Sequence, residues 1–285
     1  MSAPTVQSPT PIRAREGIEP THDSPGGVVR SRPELVSRIN AWRKHTPLNP
    51  YWTELFWLQR SMAMLSQHAT GRLLDVGVGE RPHGKLFEGK VSRYIGLEYP
   101  PMADNLSPGI WTMLERVRGI IDVWGDGGAL PFREESFDTL LALEVLEHVP
   151  EPDALVKEFV RVLRPGGKLL LTVPFAAPLH QLPFDYQRFT EPGIRNLLER
   201  HGLEIEVLAP RGNFAAVVGS LRAQYFLRAL GASEQLHDGS VKISRWRAPL
   251  VLPCIALIQI VYRWIASVSK DTSYTLGYSV VARRR

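Results

Sequence analysis

The chain has 285 residues, 44% of them hydrophobic, with 34 Lys and Arg against 29 Asp and Glu and a formal net charge of +5. That length and apolar share suffice for one sizeable buried core, which excludes a disordered or fibrous protein as a whole. The lone Cys254 excludes a disulfide framework and suits a reducing compartment, and the basic residues are spread too widely, without interleaved aromatics, to mark a nucleic-acid module.

Residues 1–30 are rich in Pro, Ser, Thr and Gly and carry little to bury, which predicts a disordered tail without an apolar leader. Ser31-Arg32-Pro33-Glu34 then has the S-x-x-E spacing of a capping box, with proline in the first turn and an acid at the positive end of the helix dipole. Asn49-Pro50 repeats the device. From Tyr51 to His68, the residues Trp52, Leu55, Phe56, Leu58, Gln59, Met62 and Leu65 fall at helical spacing. Residues 31–70 are therefore expected to form a helical cap. Most of its aromatics read as core, with Tyr51 and Trp52 able to line a site.

Arg72 to Gly84, RLLDVGVGERPHG, reads as a buried strand that passes into a glycine turn at Gly77 and Gly79. Such a turn lets the backbone approach a ligand closely, and the helix expected after it would offer free N–H groups to an anion. A dinucleotide fold wants GxGxxG, but Pro82 stands at the third position. A phosphate-binding loop wants GxxxxGK followed by Ser or Thr, and GERPHGK is followed by Leu86 instead. DxGxG with an acid closing the next strand is the third reading, and it continues to fit. Tyr94 to Leu97 reads as that strand and ends in Glu98, whose carboxylate can accept from both hydroxyls of a ribose. Ile120 to Trp124 reads as a third strand before Gly125-Asp126-Gly127, with Asp126 placed to accept from an adenine amino group. Strands at 139–143 and 168–173 follow, separated by EVLEHV, a helix at 153–163 and the turn LRPGG.

The ordered series LLDVGVGE, YIGLE, GDG, LPF, SFD, LEVLEHV and RVLRPGGKLLLTVPF resembles the class I S-adenosylmethionine-dependent methyltransferases. It is most similar to the type 11, quinone-methyltransferase-like branch and its members associated with glycans or natural products. The likeness covers roughly residues 71–208. Two departures are Arg81, where a third loop glycine is usual, and Glu98 in place of the commoner aspartate. The resemblance implies an α/β fold, a Rossmann-like doubly wound seven-stranded sheet, with an N-terminal helical cap and a helical insertion before the last strand. It implies S-adenosyl-L-methionine as cofactor, held by Asp75, Gly77, Gly79, Glu98, Tyr99, Asp126, Gly127 and Glu144, and no metal ion. The expected domains are the tail, the cap, a cofactor-binding core at 71–210, a hydrophobic helical insertion at 211–272, and the last strand with a basic end at 273–285.

Pro174 to Thr190, PFAAPLHQLPFDYQRFT, is long for a connection between a strand and a helix, and long loops with such content are usually functional. It resembles the H…P.DY.RFT pattern of members found with polysaccharide assembly. That implies a substrate-facing lid with Asp185, Tyr186 and Arg188 toward the acceptor; the alternative is that Asp185 and Arg188 pair to hold the loop shut. Thr190 is expected to cap a helix at 191–201, and 203–208 reads as a sixth strand. Asn213 to Leu230 and Pro249 to Val268 are apolar with helical spacing. The second carries a stripe of Gln259, Arg263 and Ser267, and is expected to pack on the sheet or on a partner subunit, with an anionic membrane surface as the other option. Tyr278 to Ala282 resembles the antiparallel seventh strand of the family.

The chemistry implied is methyl transfer from a sulfonium, for which the protein mainly aligns the acceptor with the methyl carbon. A hydroxyl acceptor profits from a base, and His180 and His148 are the candidates, His148 having the alternative task of fixing the loop in LEHV. A sugar hydroxyl in a glycan or lipid-linked intermediate is the first acceptor, a quinone or other natural product the second. No nucleic acid is expected as partner; a homodimer and a peripheral contact with the inner membrane face through 249–268 and the basic C-terminus are, around an otherwise cytoplasmic enzyme. Two further classes remain: an NAD-dependent oxidoreductase, opposed by Pro82, and a catalytically silent membrane-associated scaffold.

Overall fold

The computed structural model describes residues 46–99, 120–230, 233–235, 241–244 and 246–285. The expected tail and the capping box at Ser31 lie outside these residues. Short, largely apolar runs, buried on both faces at the centre, build the sheet from β1 (Arg72–Val76), β2 (Arg93–Glu98), β3 (Val123–Trp124), β4 (Phe137–Leu143), β5 (Leu163–Pro174) and β6 (Leu203–Arg211). A small hairpin, β7 (Ser233–Gln235) and β8 (Val241–Ile243), precedes the last strand, β9 (Gly277–Arg284). The seven-stranded order is β3-β2-β1-β4-β5-β9-β6, with β9 antiparallel to both neighbours and the other pairings parallel. This is the α/β, Rossmann-like arrangement, with strand order reversing beside β1 so that a crevice opens beyond its carboxyl end.

Neighbouring residues on each strand point to opposite faces. Leu74, Leu140, Leu169, Leu171 and Val280 pack under α2 (Pro152–Val162) and α3 (Glu191–Glu199), through Leu155, Phe159, Ile194 and Leu198. Leu73, Leu141, Leu170 and Val281 face the other way, onto Met62 and Leu65 of α1 (Trp52–Leu65). Thr190 caps α3 by accepting from Gly193 N at 3.2 Å. The residues 71–76 and 137–143 thus fix a rigid floor whose strand ends carry the acids.

Three elements differ from expectation. The turn after β1 opens no α-helix: residues Gly84–Phe87 make a single 3₁₀ turn. Pro82 has no N–H to give a helix, and Arg81 stands in the left-handed region at φ 49°, so the chain cannot wind regularly there. The third strand is only Val123–Trp124, although Asp122 N still donates to Gly96 O at 2.9 Å. LRPGG is not merely a turn but the start of β5: Leu163 pairs with Phe137, and the register breaks before Lys168 pairs with Thr139, with Gly166 at φ 80° inside the break.

The segment after β6 forms α4 (Phe214–Ala229), capped by Asn213, and α5 (Ala248–Val268). Neither lies on the sheet. α5 packs on α4 through Val251 and Ile255 against Ala223 and Leu227, and on α1 through Gln259 and Arg263 of the expected polar stripe, whose third member, Ser267, is exposed and donates to Trp264 O of its own helix. Gln259 is fully buried there: its Oε1 accepts from Thr53 N and Oγ1, both at 3.1 Å, and its Nε2 donates to Pro47 O and Asn49 O. Arg263 extends the junction with its guanidinium 3.4 Å from the Phe56 ring centroid.

Candidate active site

Gly77 ends β1 at φ 75°, where its N–H donates to Leu97 O at 2.9 Å and a Cβ would meet Val145 Cγ2 at 2.8 Å. Only glycine fits that position. Gly79 follows at φ 48°, and Arg81 takes the usual place of a third glycine, its N–H returning to Val78 O. The Arg81 guanidinium lies 4.4 Å over the Tyr94 ring and donates to Ile120 O and Asp122 Oδ2, both at 2.9 Å. A cation stacked on an aromatic ring therefore ties the loop to the entry of β3.

Glu98 closes β2 with its Oε2 accepting from Gly79 N at 2.8 Å and its Oε1 from Tyr99 N at 3.1 Å. Burial pushes its carboxyl above the usual range, against the pull of those two bonds. Asp75 is buried and accepts from the Tyr94 hydroxyl; burial raises its pKa to about 7. A cavity of about 230 Å³ opens among Asp75, Gly77, Gly79, Arg81, Tyr94 and Glu144. Glu98 stands one hydrogen bond behind its wall. Tyr99, Asp126 and Gly127 sit at neighbouring strand ends outside that wall, with Asp126 accepting from Gly128 N at 2.8 Å to cap the turn at Gly127–Ala129.

A second cavity, of about 370 Å³, lies between α1 and the ends of β4 and β5, against Tyr51, Glu54, Trp57, His180 and Arg211. Leu58 and Glu144 wall both cavities, so the two adjoin. Glu144 reaches this point at φ 54° and pairs with Arg211, Nη1 to Oε1 at 2.9 Å. Arg211 is itself buried and also donates to Val173 O at 3.2 Å. Its guanidinium passes so close to Gly277 that a Cβ there would stand 2.2 Å from Nη2. Glu54 accepts from Ser220 Oγ and from Gln224 Nε2 at Oε1, which leaves buried Oε2 without a hydrogen-bond partner; burial raises its carboxyl pKa.

Glu54, Trp57 and Arg211 escape sequence reasoning. Glu54 falls three residues after Tyr51, on the same helix face, which is a signal only once Tyr51 is placed in the site. Trp57 has no such signal, and Arg211 offers only an arginine closing a strand that already carries Glu204 and Glu206. Of the two aromatics expected near the site, Tyr51 lines the cavity, whereas Trp52 stacks toward Phe56 and Arg263.

The loop after β5 closes one side of the second cavity. Asp185 and Arg188 form a forked pair, Nη1 to Oδ1 at 2.5 Å and Nη2 to Oδ2 at 2.8 Å, and Asp185 also accepts from His180 N at 3.0 Å. Their side chains are thus engaged with the loop itself, and the guanidinium pulls the Asp185 carboxyl down to about 2. Tyr186 donates its N–H to Glu147 O and leaves its ring exposed. His180 Nδ1 meets Pro178 O at 3.1 Å, and His148 Nδ1 meets Phe184 O at 2.7 Å. The two rings stand edge to face with centroids 4.7 Å apart. Burial lowers the His148 pKa. Beneath them lies Glu147, wholly buried and absent from the residues that spacing had marked. Burial, and then Glu144 nearby, push its carboxyl far up.

An acid-ended, mostly parallel sheet with a reversed β9, and a glycine turn over a small cavity at its switch point, form a nucleotide-type site. Residues 74–171 match the family described as "Methyltransferase domain". An uncharacterized methyltransferase of Mycobacteroides abscessus is 37% identical over 105 residues, which cover 35% of this chain and 38% of that protein. One of Mycobacterium tuberculosis is 37% identical over 112 residues, 39% of this chain and 42% of the relative. The match thus spans about two fifths of these relatives. The crystal structure of an S-adenosylmethionine dependent methyltransferase from Mesorhizobium loti superposes with a TM-score of 0.45 at 17% identity, over 82% of this chain and 98% of that one. Residues 74–171 are a class I S-adenosylmethionine-dependent methyltransferase domain, and S-adenosylmethionine is its cofactor.

Proposed function

We propose that the chain transfers the methyl group to a hydroxyl of an acceptor held in the larger cavity, with a sugar hydroxyl in a glycan or lipid-linked intermediate as the first choice. The observation that carries this reading is the shared wall of Leu58 and Glu144: cofactor and acceptor would meet there with the sulfonium methyl between them. In support of a sugar, the cavity pairs aromatic surface at Trp57 with the Glu54 side chain, whose carboxyl group can hydrogen-bond a hydroxyl. Exposed Leu179, Leu182 and Phe184 near the lid favour an acceptor with an apolar tail, which also admits a quinol. The Gly77–Gly79 loop would hold the methionine end in the smaller cavity without a helix start, while beyond its wall Glu98 would hold the ribose hydroxyls and Asp126 the adenine. Tritium transfer from methyl-labelled cofactor into lipid-linked sugar fractions, with no transfer into quinols, is the expected assay result; the reverse pattern would move the acceptor to the quinone class.

His180 borders the acceptor cavity and is the first candidate to take up or orient the leaving proton. His180→Ala is expected to lower turnover about 10²-fold or more, in line with removal of acid–base help, while S-adenosylhomocysteine binds as in the wild type. Unchanged turnover would take His180 out of the mechanism.

The partner surface is proposed to be α5. Among the described residues it is the one helix long and apolar enough to cross a membrane, yet Gln259 pins its inner side to α1. Its outer side exposes Leu250, Leu257, Ile260 and Trp264, with Trp246 just before its start. Arg222, stacked on the Tyr262 ring of the same helix, and exposed Lys270 just past its end add positive charge. Such a face suits shallow contact with the anionic inner surface of a membrane around a cytoplasmic enzyme. Flotation with phosphatidylglycerol vesicles is expected to carry the protein, less so in high salt and less for Trp264→Asp. A mass twice that of the monomer, with no flotation, would assign the face to a second copy instead.

A further inference from the structure

Glu147, His148 and His180 come from two separate stretches, the turn after β4 and the lid loop after β5, and converge on one point. A carbonyl oxygen can only accept, so the contacts with Phe184 O and Pro178 O place a proton on Nδ1 of each neutral histidine. The lone pair of each Nε2 is then left facing inward. His148 Nε2 lies 3.7 Å from Glu147 Oε1 and His180 Nε2 lies 3.9 Å from the same oxygen. Both oxygens of Glu147 are buried and accept no hydrogen bond from another described residue.

Three groups with lone pairs therefore face one another, and even a proton on the Glu147 carboxyl would reach neither Nε2, at 3.7 and 3.9 Å. The gaps are too long for a proton shared directly between carboxyl and imidazole. A buried carboxyl whose two oxygens meet no hydrogen-bond partner is costly. We infer that Glu147, His148 and His180 form a binding site for one borderline divalent cation of the Co²⁺, Ni²⁺ or Zn²⁺ kind, at the edge of the acceptor cavity.

The dimensions fit such an ion. With ligand bonds of about 2.1 Å, tetrahedral ligands stand about 3.4 Å apart, and opposed ones about 4.2 Å. The two gaps to Glu147 are 3.7 and 3.9 Å and all three candidate ligand atoms lie within 4.8 Å of one another, so the side chains close on an ion by moving together by at most about an ångström. The donor types decide the class of metal: two imidazoles and one carboxylate favour borderline first-row ions over Mg²⁺ or Ca²⁺, which prefer oxygen. The backbone carbonyls on the two Nδ1 atoms are the outer partners that orient metal-bound histidines. Asp185 contributes by fixing His180 N, and Arg188 holds Asp185. The lid pair is then explained as the support of a ligand.

What the ion does rests on the methyl-transfer reading above. Three protein ligands leave positions open toward the cavity that His180 lines, where an acceptor hydroxyl can bind and lose its proton to water more readily. The resulting oxygen attacks the methyl carbon; the O–CH₃ bond forms, the S–CH₃ bond breaks, and its electron pair returns to sulfur to give the neutral thioether. No oxidant or reductant is needed. On this view the two histidines are ligands, and His180→Ala loses turnover because the ion is lost.

The test uses tag-free protein freed of metal with a chelator and titrated with Co²⁺, read by visible absorption and calorimetry. One equivalent bound with nitrogen–oxygen ligand bands is expected, weakened at least tenfold in Glu147→Gln and in His180→Ala. S-adenosylhomocysteine titration of each variant reports folding; should Glu147→Gln fail it, the partly exposed His180 position carries the comparison. No Co²⁺ binding to the wild type, or binding equally tight in both variants, overturns the site. If the wild type binds S-adenosylhomocysteine but not Co²⁺, the cation site fails while the methyl-transfer reading stands. Variant-sensitive binding of Co²⁺ without any binding of S-adenosylhomocysteine would uphold the cation site and defeat the methyl-transfer reading.

Discussion

Glu98→Ala lowers affinity for S-adenosylhomocysteine about 10²-fold, or roughly 3 kcal/mol, if its carboxylate is the ribose acceptor. Two effects combine. A hydrogen bond to a charged acceptor is worth more than a neutral one, and a ribose offers two hydroxyls to the pair of carboxylate oxygens. The same carboxylate shapes the loop, since Oε2 takes the Gly79 N–H at 2.8 Å. Glu98→Gln separates the contributions: its single oxygen can keep the Gly79 bond while one ribose acceptor is lost, so an intermediate affinity is expected. Equal affinity in wild type, Ala and Gln forms, measured by calorimetry, would assign the ribose to another group.

Arg211→Met is expected to destabilise the protein by about 3 kcal/mol and to lower turnover as well. Arg211 is buried beside Glu144, and removing one member of a buried ion pair leaves the other charge without compensation. Glu144 retains some contact with solvent, which keeps the cost at the lower end of the usual range. The double variant Arg211→Met with Glu144→Gln removes both charges and should recover part of the loss. Urea midpoints of the wild type, the two single variants Arg211→Met and Glu144→Gln, and the double variant measure this. A double variant no more stable than Arg211→Met would show that packing around Gly277, rather than the charge pair, sets the penalty.

The sheet is legible in the sequence because its strands are short apolar runs that end in acids or glycines, as at Asp75 to Gly77 and at Leu97-Glu98. Tyr278 to Ala282 is legible as β9 through its resemblance to the family's seventh strand, and the Asp185–Arg188 pairing is visible as one of two options at i, i+3 spacing. The loop after β1 is different. A DxGxG pattern suggests a helix start, and only the left-handed Arg81 beside Pro82 shows why a 3₁₀ turn takes its place. The early start of β5 is hidden for a related reason: LRPGG has turn composition, but its Leu163 is paired by Phe137 from another strand. The acceptor side is the least legible part. Glu54 meets Ser220 and Gln224, Glu144 meets Arg211, and Glu147 meets His180 across separations that no local pattern encodes. A lone glutamate in LEHV reads as part of a motif until the lid loop brings a second histidine over it.

The central claim is that the loop at Gly77 and Gly79, backed by Glu98, holds the cofactor beside a separate acceptor cavity. Its most direct test is calorimetric titration of S-adenosylhomocysteine into the wild type, Glu98→Ala and His180→Ala in parallel. One site in the wild type, unchanged in His180→Ala and about 10²-fold weaker in Glu98→Ala, is the predicted result. Absence of binding to the wild type, or an equal loss in both variants, would contradict it.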